Sequence, residues 1–440
     1  MMDIRKSILL GLAVVFVFSA ALVGDSSVAN AQDKSLEDRV AALEAKSDNF
    51  GFSKRPYIQS DDGRFRIEFG GRLQARYTLQ VKESRGNSGT STSDESFAEL
   101  ERARLSFRGN FFSKDLKYKV EADGHSDAGS LGLADAYVQY RFKKRGFSLG
   151  AGQWKPFFGR QEQTSSSKQL LVDRSLANEF FNVDRNQGVW LSAREKLGSD
   201  SLFNGYSWQL GVSNGIDSVN RDVGDGEFDH IPAVIAHFDV DILGNLGKDA
   251  LSSGDLKRRE EPGLTAGFSL MTDQNNGSGS VDPGDLQYGV YQVAYDAVYK
   301  SNGFNLNAEY FQRWLDIESA GFDTDAQFTH GAYVEGGYMV TDALQLVTRG
   351  STIWDREASG KSAVEAGGGI NYFVFKHNLK LSADVLFLDI PGDMSVMTER
   401  LPGHDGAIAT PADFSGFSSS SANLDEFQGV MLRCQAQVNF

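Results

Sequence analysis

Residues 64–80, RFRIEFGGRLQARYTLQ, alternate apolar and polar for seventeen positions. Phe65, Ile67, Phe69, Gly71, Leu73, Ala75, Tyr77 and Leu79 take the odd positions; Arg64, Arg66, Arg72 and Arg76 take even ones. Successive side chains of a strand point to opposite faces, so one face here is apolar and the other cationic. Strands of soluble sheets are commonly about five or six residues long. One this long and this one-sided reads as a wall between two media.

The alternation recurs down the chain. Ala103, Leu105, Phe107 and Gly109 interleave with Arg102, Arg104, Ser106 and Arg108; Leu116, Tyr118, Val120 and Ala122 interleave with Lys117, Lys119, Glu121 and Asp123. Similar segments continue to FQGVMLRCQAQVNF at the C-terminus, sixteen in all from about residue 62. Each is about 9 to 11 residues or longer, which suffices to cross a bilayer as a tilted strand. An even count suits a closed antiparallel barrel with both ends on one side. In hydrocarbon an open edge would leave its backbone groups unpaired, so the last strand is expected to close onto the first.

The connections agree with that topology. Those after segments 2, 4, 10, 12 and 14 are tight (FSK, KKRG, KSNG, TDA, FKHN). Those after odd segments are mostly longer: 81–99, 155–186, 273–288, 315–328 and 390–426. Short periplasmic turns opposite long external loops are the outer-membrane arrangement. One connection breaks the rule: residues 242–261 follow an even segment yet run about twenty residues, an enlarged turn or a misplaced strand.

A soluble β-sandwich would alternate too, but it buries its apolar face against a second sheet. Aromatic residues here gather near segment ends, at Tyr77, Phe142, Phe147, Tyr299, Phe304, Trp314, Trp354, Phe373 and Phe375. That is the placement of interfacial girdles. Composition does not distinguish the two folds. A mean hydropathy of -0.34 and 23% charged residues fit either one, because half of each barrel strand meets water.

The N-terminus sets the compartment. MMDIRKS precedes the apolar run ILLGLAVVFVFSAALV, and Ala29-Asn30-Ala31 follows, the layout of an export signal cleaved after Ala31. The expected organisation is a signal peptide over 1–31, a periplasmic helical and linker segment over 32–60, and a barrel over 61–440. Within the second, Leu36, Val40 and Leu43 mark one short amphipathic helix, a weak coiled coil or a solvated tail. The single Cys434 excludes an intramolecular disulfide and falls on the lipid-facing parity.

Charge then points to a solute. On the polar faces of the first three segments stand Arg64, Arg66, Arg72, Arg76, Arg102, Arg104, Arg108, Lys117 and Lys119, against Glu68, Glu121 and Asp123. This cationic wall belongs to a chain whose formal net charge is -15. Like charges crowded on one wall need a counter-charge, from acids across the lumen or from a mobile anion. Guanidinium matches two oxygens of a phosphate, and charged ladders make pores anion-selective. The long connection 155–186 adds Lys155, Arg160, Lys168, Arg174 and Arg185, with apolar pairs that argue it folds against something. Folded inward, it would narrow the pore.

The stretches GGRLQARY (70–77), FAELERARLSFRGNF (97–111), LADAYVQYRF (133–142), GQWKPFFG (152–159) and FFNVDRNQGVWL (180–191), with the terminal Phe440, resemble the phosphate-selective porin O and P family of bacterial outer membranes. The likeness spans about residues 60–440 and is specific up to about 191. It implies a sixteen-stranded homotrimeric channel whose third loop folds inward and whose basic residues guide phosphate-like anions. On the matching motifs these are Arg72, Arg76, Arg102, Arg104, Arg108 and Lys155. The later loops depart from the family in being acidic, as in DVGDGEFDH and LDIESAGFDTD.

Other chemistry finds little footing. Six histidines lack metal spacing, and neither a phosphate-cradling Gly-rich loop nor G-x-S-x-G occurs. No cofactor and no metal are expected. A barrel hydrolase would need a Ser–His pair at one membrane depth. The acids of DVGDGEFDH do not follow a calcium-loop pattern. The cations alternate with lipid-facing residues, so nucleic acid is not the expected partner; lipid and small anions are. The sequence thus predicts an all-β transmembrane barrel of about 16 strands that passes small anions, phosphate or polyphosphate first. A general diffusion porin and a structural barrel tethering the envelope are the alternatives.

Overall fold

The computed structural model describes residues 49–52, 55–86, 89–124, 131–198, 201–214, 230–275, 287–319, 322–355, 362–391 and 426–440. The expected signal peptide, the amphipathic helix and the acidic stretch 222–229 lie outside these. The chain divides into two units, Met1–Gly51 and Phe52–Phe440. Two short strands come first, β1 (Phe50–Phe52) and β2 (Pro56–Gln59). Sixteen more follow: β3 (Arg66–Gly86), β4 (Gly89–Asn110), β5 (Leu116–Gly124), β6 (Leu131–Phe142), β7 (Phe147–Trp154), β8 (Asn186–Lys196), β9 (Gly205–Ser213) and β10 (His230–Leu243). They continue as β11 (Gly263–Asn275), β12 (Gln287–Ser301), β13 (Phe304–Ser319), β14 (Phe322–Met339), β15 (Leu344–Asp355), β16 (Ser362–Phe375), β17 (Leu379–Ile390) and β18 (Glu426–Asn439).

Each of β3–β18 pairs antiparallel with its successor, and β18 returns to β3 with Leu73 opposite Val438 and Arg72 opposite Asn439. The barrel is closed, as the need to pair every backbone group in lipid requires. The seam is tight. Gly71 and Phe440 exchange both backbone hydrogen bonds, 2.9 and 3.1 Å, and a Cβ on Gly71 would lie 2.4 Å from the Phe440 ring.

The wall has two distinct faces. On β3, Leu73, Tyr77, Leu79 and Val81 are 40–48% exposed on the outside, whereas Gln74, Arg76, Thr78 and Gln80 are at most 2% exposed. Phe65, Leu105 and Val120 share the outer face, and so does Cys434. Of the expected girdle, Tyr77, Phe304, Trp314, Trp354 and Phe375 face outward. Phe373 does not: it is buried on the inward parity of β16 with Asn371, and the register shift between Phe373 and Phe375 is what turns Phe375 outward.

Short turns follow β4, β6, β12, β14 and β16 at the end where β3 begins and β18 ends. Two of the expected long connections are instead strand. β3 and β4 remain paired up to Gly86 and Gly89, and β13 and β14 up to Ser319 and Phe322. Cross-strand pairing keeps the backbone groups of both extensions satisfied. The irregular connection 244–262 is an enlarged turn carrying a 3-10 helix, Gly247–Leu251; no strand was misplaced there.

Candidate permeation site

The connection between β7 and β8 fills much of the lumen. It contains α1 (Arg160–Gln163), a 3-10 turn (Ser166–Lys168) and α2 (Leu176–Phe181). Phe158, Leu170, Leu171, Leu176, Phe181 and Val183 of this loop form one buried cluster with Ile235, Met271, Phe311, Tyr333, Val347 and Ile353 of the inner wall. The inner face of β10–β18 is therefore partly apolar, and there the loop docks. Reading this face as uniformly wet hid the dock, although its signal was present as apolar residues on both parities of those strands.

Buried loop backbone needs hydrogen-bond partners, and the wall supplies them in both senses. Asp384 accepts from the Val172 N–H (2.8 Å), Glu365 from Leu176 (2.8 Å) and Ser351 from Ala177 (3.0 Å), while Glu309 accepts from Arg160 and Gln161. In the other direction Asn371 donates to the Leu170 carbonyl (2.7 Å), Arg349 to Asp173 and Arg174 (2.7 and 2.9 Å), and Arg313 to Phe180 (2.8 Å). Arg160 bridges Asp239 and Asp296, each at 2.5 Å. Burial works against its charge, but the two carboxylates outweigh burial and hold its pKa above the ordinary value.

With the loop held on that side, open space remains against the opposite wall. A cavity of about 390 Å³ lies between the loop and β3–β6. Arg72, Arg102, Arg104 and Lys119 line it from the strands, and Lys155, Arg174 and Arg185 from the loop. Five acids share it, Glu121, Asp135, Glu162, Glu179 and Asp184. Lys155 and Arg174 pair with Glu162 at 2.5 and 2.8 Å, and Arg185 with Asp135 at 3.1 Å. Burial lowers the Lys155 pKa to about 7 and raises that of Glu179 to about 8.

Seven of the fourteen cations singled out in the sequence thus meet at one cavity. The other seven sit elsewhere. Arg64 pairs with Asp62 at 2.5 Å and Arg66 with Glu68 at 3.0 Å. Arg76 is buried beneath the loop on Asp173 (2.8 Å) and Glu101 (3.1 Å), and Arg160 faces the far wall. Arg108 pairs with Glu68 at 2.9 Å. Lys117 is exposed on the same strand as Lys119, and the Lys168 carbonyl accepts the Ser253 N–H (2.9 Å). Sequence reasoning missed Asp135, whose signal was its place on β6 opposite Glu121 and near Lys119. It also missed Ser165 and Ser166.

Within the cavity one contact stands apart. Arg72 and Arg104 are direct cross-strand partners, a pairing of like charges that destabilises a sheet. Arg104 is answered by Asp123 (2.6 Å) and Glu121 (3.4 Å). Arg72 instead donates to neutral oxygens, Asn439 Oδ1 (2.9 Å), Ser166 Oγ (2.5 Å) and Ser165 Oγ (3.0 Å). Among the described residues no carboxylate forms an ion pair with it.

A Ser–His pair does occur inside the barrel. Ser269 Oγ lies 2.8 Å from His237 Nδ1, and His237 Nε2 lies 3.1 Å from Asp239. Ser269 and His237 are at most 2% exposed; Gly159 N–H donates to that hydroxyl, and Arg160 occupies that aspartate. The trio is sealed under the loop and serves to hold it.

Residues 67–388 match the family described as phosphate-selective porin O and P, and the chain belongs to that family. It is an outer-membrane porin, a channel protein of the bacterial outer membrane. Among solved structures, the anion-selective porin from Comamonas acidovorans has the same fold with a TM-score of 0.52 at 11% identity, covering 84% of this chain and 99% of that one. The outer membrane channel DcaP of Acinetobacter baumannii gives a TM-score of 0.49 at 14% identity over 84% and 96%. OmpT of Vibrio cholerae, folded in vitro, gives 0.49 at 12% over 84% and 97%. No curated protein sequence matches this chain.

Proposed function

We propose that this porin passes small anions passively, inorganic phosphate and polyphosphate first, along the cationic wall that faces the inward loop. The observation that carries the reading is Arg72, a guanidinium at a cavity of about 390 Å³ whose partners are all neutral. An oxyanion arriving there supplies the missing counter-charge and accepts from Arg72, Arg102 and Arg104. Charge-assisted bonds of this kind contribute about 1.5–3 kcal/mol each. The five acids lining the same cavity favour a second reading, a general diffusion porin with slight anion preference. Export after cleavage at Ala31 and assembly as a homotrimer belong to the same proposal.

Phosphate block of chloride current in planar bilayers tests it. Arg72→Ala combined with Arg104→Ala should raise the half-blocking phosphate concentration about tenfold or more, since about 1.4 kcal/mol is a factor of ten. Unchanged block would remove these residues from the site. Chloride preference without any phosphate block would favour the general porin.

A further inference from the structure

The enlarged turn 244–262 does not hang below the barrel. Its middle, Ser253, Gly254 and Asp255, is buried, and it meets side chains of the inner wall. Lys300, on the inner face of β12 and 1% exposed, directs its ammonium into the turn and donates to the carbonyls of Asp249 (2.7 Å), Ser252 and Gly254 (2.9 Å). Such an ammonium, enclosed by three carbonyl oxygens, fixes the turn's path. Asp255 accepts from the Arg259 and Gly303 N–H groups, 3.0 and 2.9 Å, and Arg258 reaches the Met339 carbonyl at 2.8 Å. The turn therefore spans from its own strands to the mouths of β12–β14.

It also meets the inward loop. Ser253 N–H donates to the Lys168 carbonyl at 2.9 Å. Gly254 lies against the Gln345 side chain, which at Gly337 stands beside Leu170 of the loop. Two elements that enter from opposite ends of the barrel thus touch inside it.

From these contacts we infer that turn 244–262 is a second internal plug, which closes the lumen beneath the loop on the β10–β15 side and confines solute to the wall formed by β3–β6. Lys300 is the residue that positions it. Without the plug, a second water path opens past the inner wall of β10–β15, which carries Asp239, Asp241, Asp296, Glu309 and Glu335 beside Arg313 and Arg349. The inference rests on the chain being a channel and is independent of which ion it prefers.

The test uses the full-length porin in planar bilayers. Replacing residues 247–258 by two glycines should raise single-channel conductance about twofold or more and move the zero-current potential toward cation preference, because pore charge governs selectivity. Lys300→Met keeps the side chain's bulk and the whole turn, and carries the test if the shortened barrel does not fold; it should give the same shifts with added current flicker. A parallel readout places Ser253→Cys in a Cys434→Ser background. That thiol should resist a membrane-impermeant maleimide and become reactive when Lys300→Met is added. Conductance unchanged in Lys300→Met, or rapid labelling of Ser253→Cys with Lys300 intact, overturns the plug. Altered conductance without a change of ion preference would overturn the confinement to the cationic wall and leave the anion reading to its own test.

Discussion

The Arg72 guanidinium of β3 donates to the Ser165 hydroxyl of the inward loop at 3.0 Å, so the one cavity arginine with only neutral partners sits where wall and loop meet. A charge held by hydroxyls and an amide is oriented without being neutralised. Its neighbours Arg104 and Lys119 are each paired with carboxylates, and their fields largely cancel at a distance. Arg72 is therefore the residue whose removal should change ion preference most. Arg72→Ala should shift the zero-current potential toward cations by more than Arg108→Ala, whose partner Glu68 lies outside the cavity. Arg72→Lys should retain the sign of selectivity but weaken phosphate block, since an ammonium lacks the forked donor geometry.

The loop is held by a buried ionic latch. Removing one member of such a group leaves the others uncompensated and costs about 3–5 kcal/mol. Arg160→Ala strands Asp239 and Asp296 and should lower the barrel's unfolding midpoint in detergent. It should also loosen the loop, seen as larger and noisier single-channel currents. Unfolding curves and bilayer recordings on the same preparation check both.

Selectivity should depend on pH in a defined direction. Lys155 loses its positive charge as pH rises through about 7, and Glu179 gains a negative charge as pH rises through about 8. Both face the same cavity as Arg102, Arg174, Arg185, Glu162 and Asp184. Between about pH 6 and 9 the site thus becomes more negative by two charges, and chloride preference over potassium should fall. Glu179→Gln should remove the upper part of that change. Chloride is the right probe because phosphate itself titrates in this range.

The outer face answers to lipid. Leu432 is exposed outside β18, eight residues from the chain end, and pairs with Val385 and Leu79. Leu432→Arg should destabilise folding into vesicles by about 2–4 kcal/mol, the penalty for a charge near the bilayer midplane. Lys117→Gln, on the water side, should change it by no more than about 0.5 kcal/mol. Urea titration in lipid vesicles compares the two.

The barrel was legible because a two-sided wall imprints a period of two on every strand. The Arg72–Leu73 step and the Cys434–Gln435 step each show which side is which. Two kinds of information were not carried that way. Local pattern does not say where polar strand stops and loop begins, so Glu83–Gly86 and Gly89–Thr92 read as a connection although cross-strand pairing keeps them extended. Nor does it reveal contacts between distant segments. Arg76, Arg102 and Arg104 look alike in sequence, yet Arg76 is buried on Asp173 and Glu101, while the other two line the cavity. The inner-wall apolar residues, such as Phe311 and Tyr333, became intelligible only once Phe181 and Phe158 were seen against them.

The most direct measurement is the zero-current potential of the purified porin in a planar bilayer under a potassium chloride gradient. A wall carrying Arg72, Arg102 and Arg104 against a loop held on the far side predicts a potential of the sign set by chloride. A potential of the sign set by potassium would contradict it.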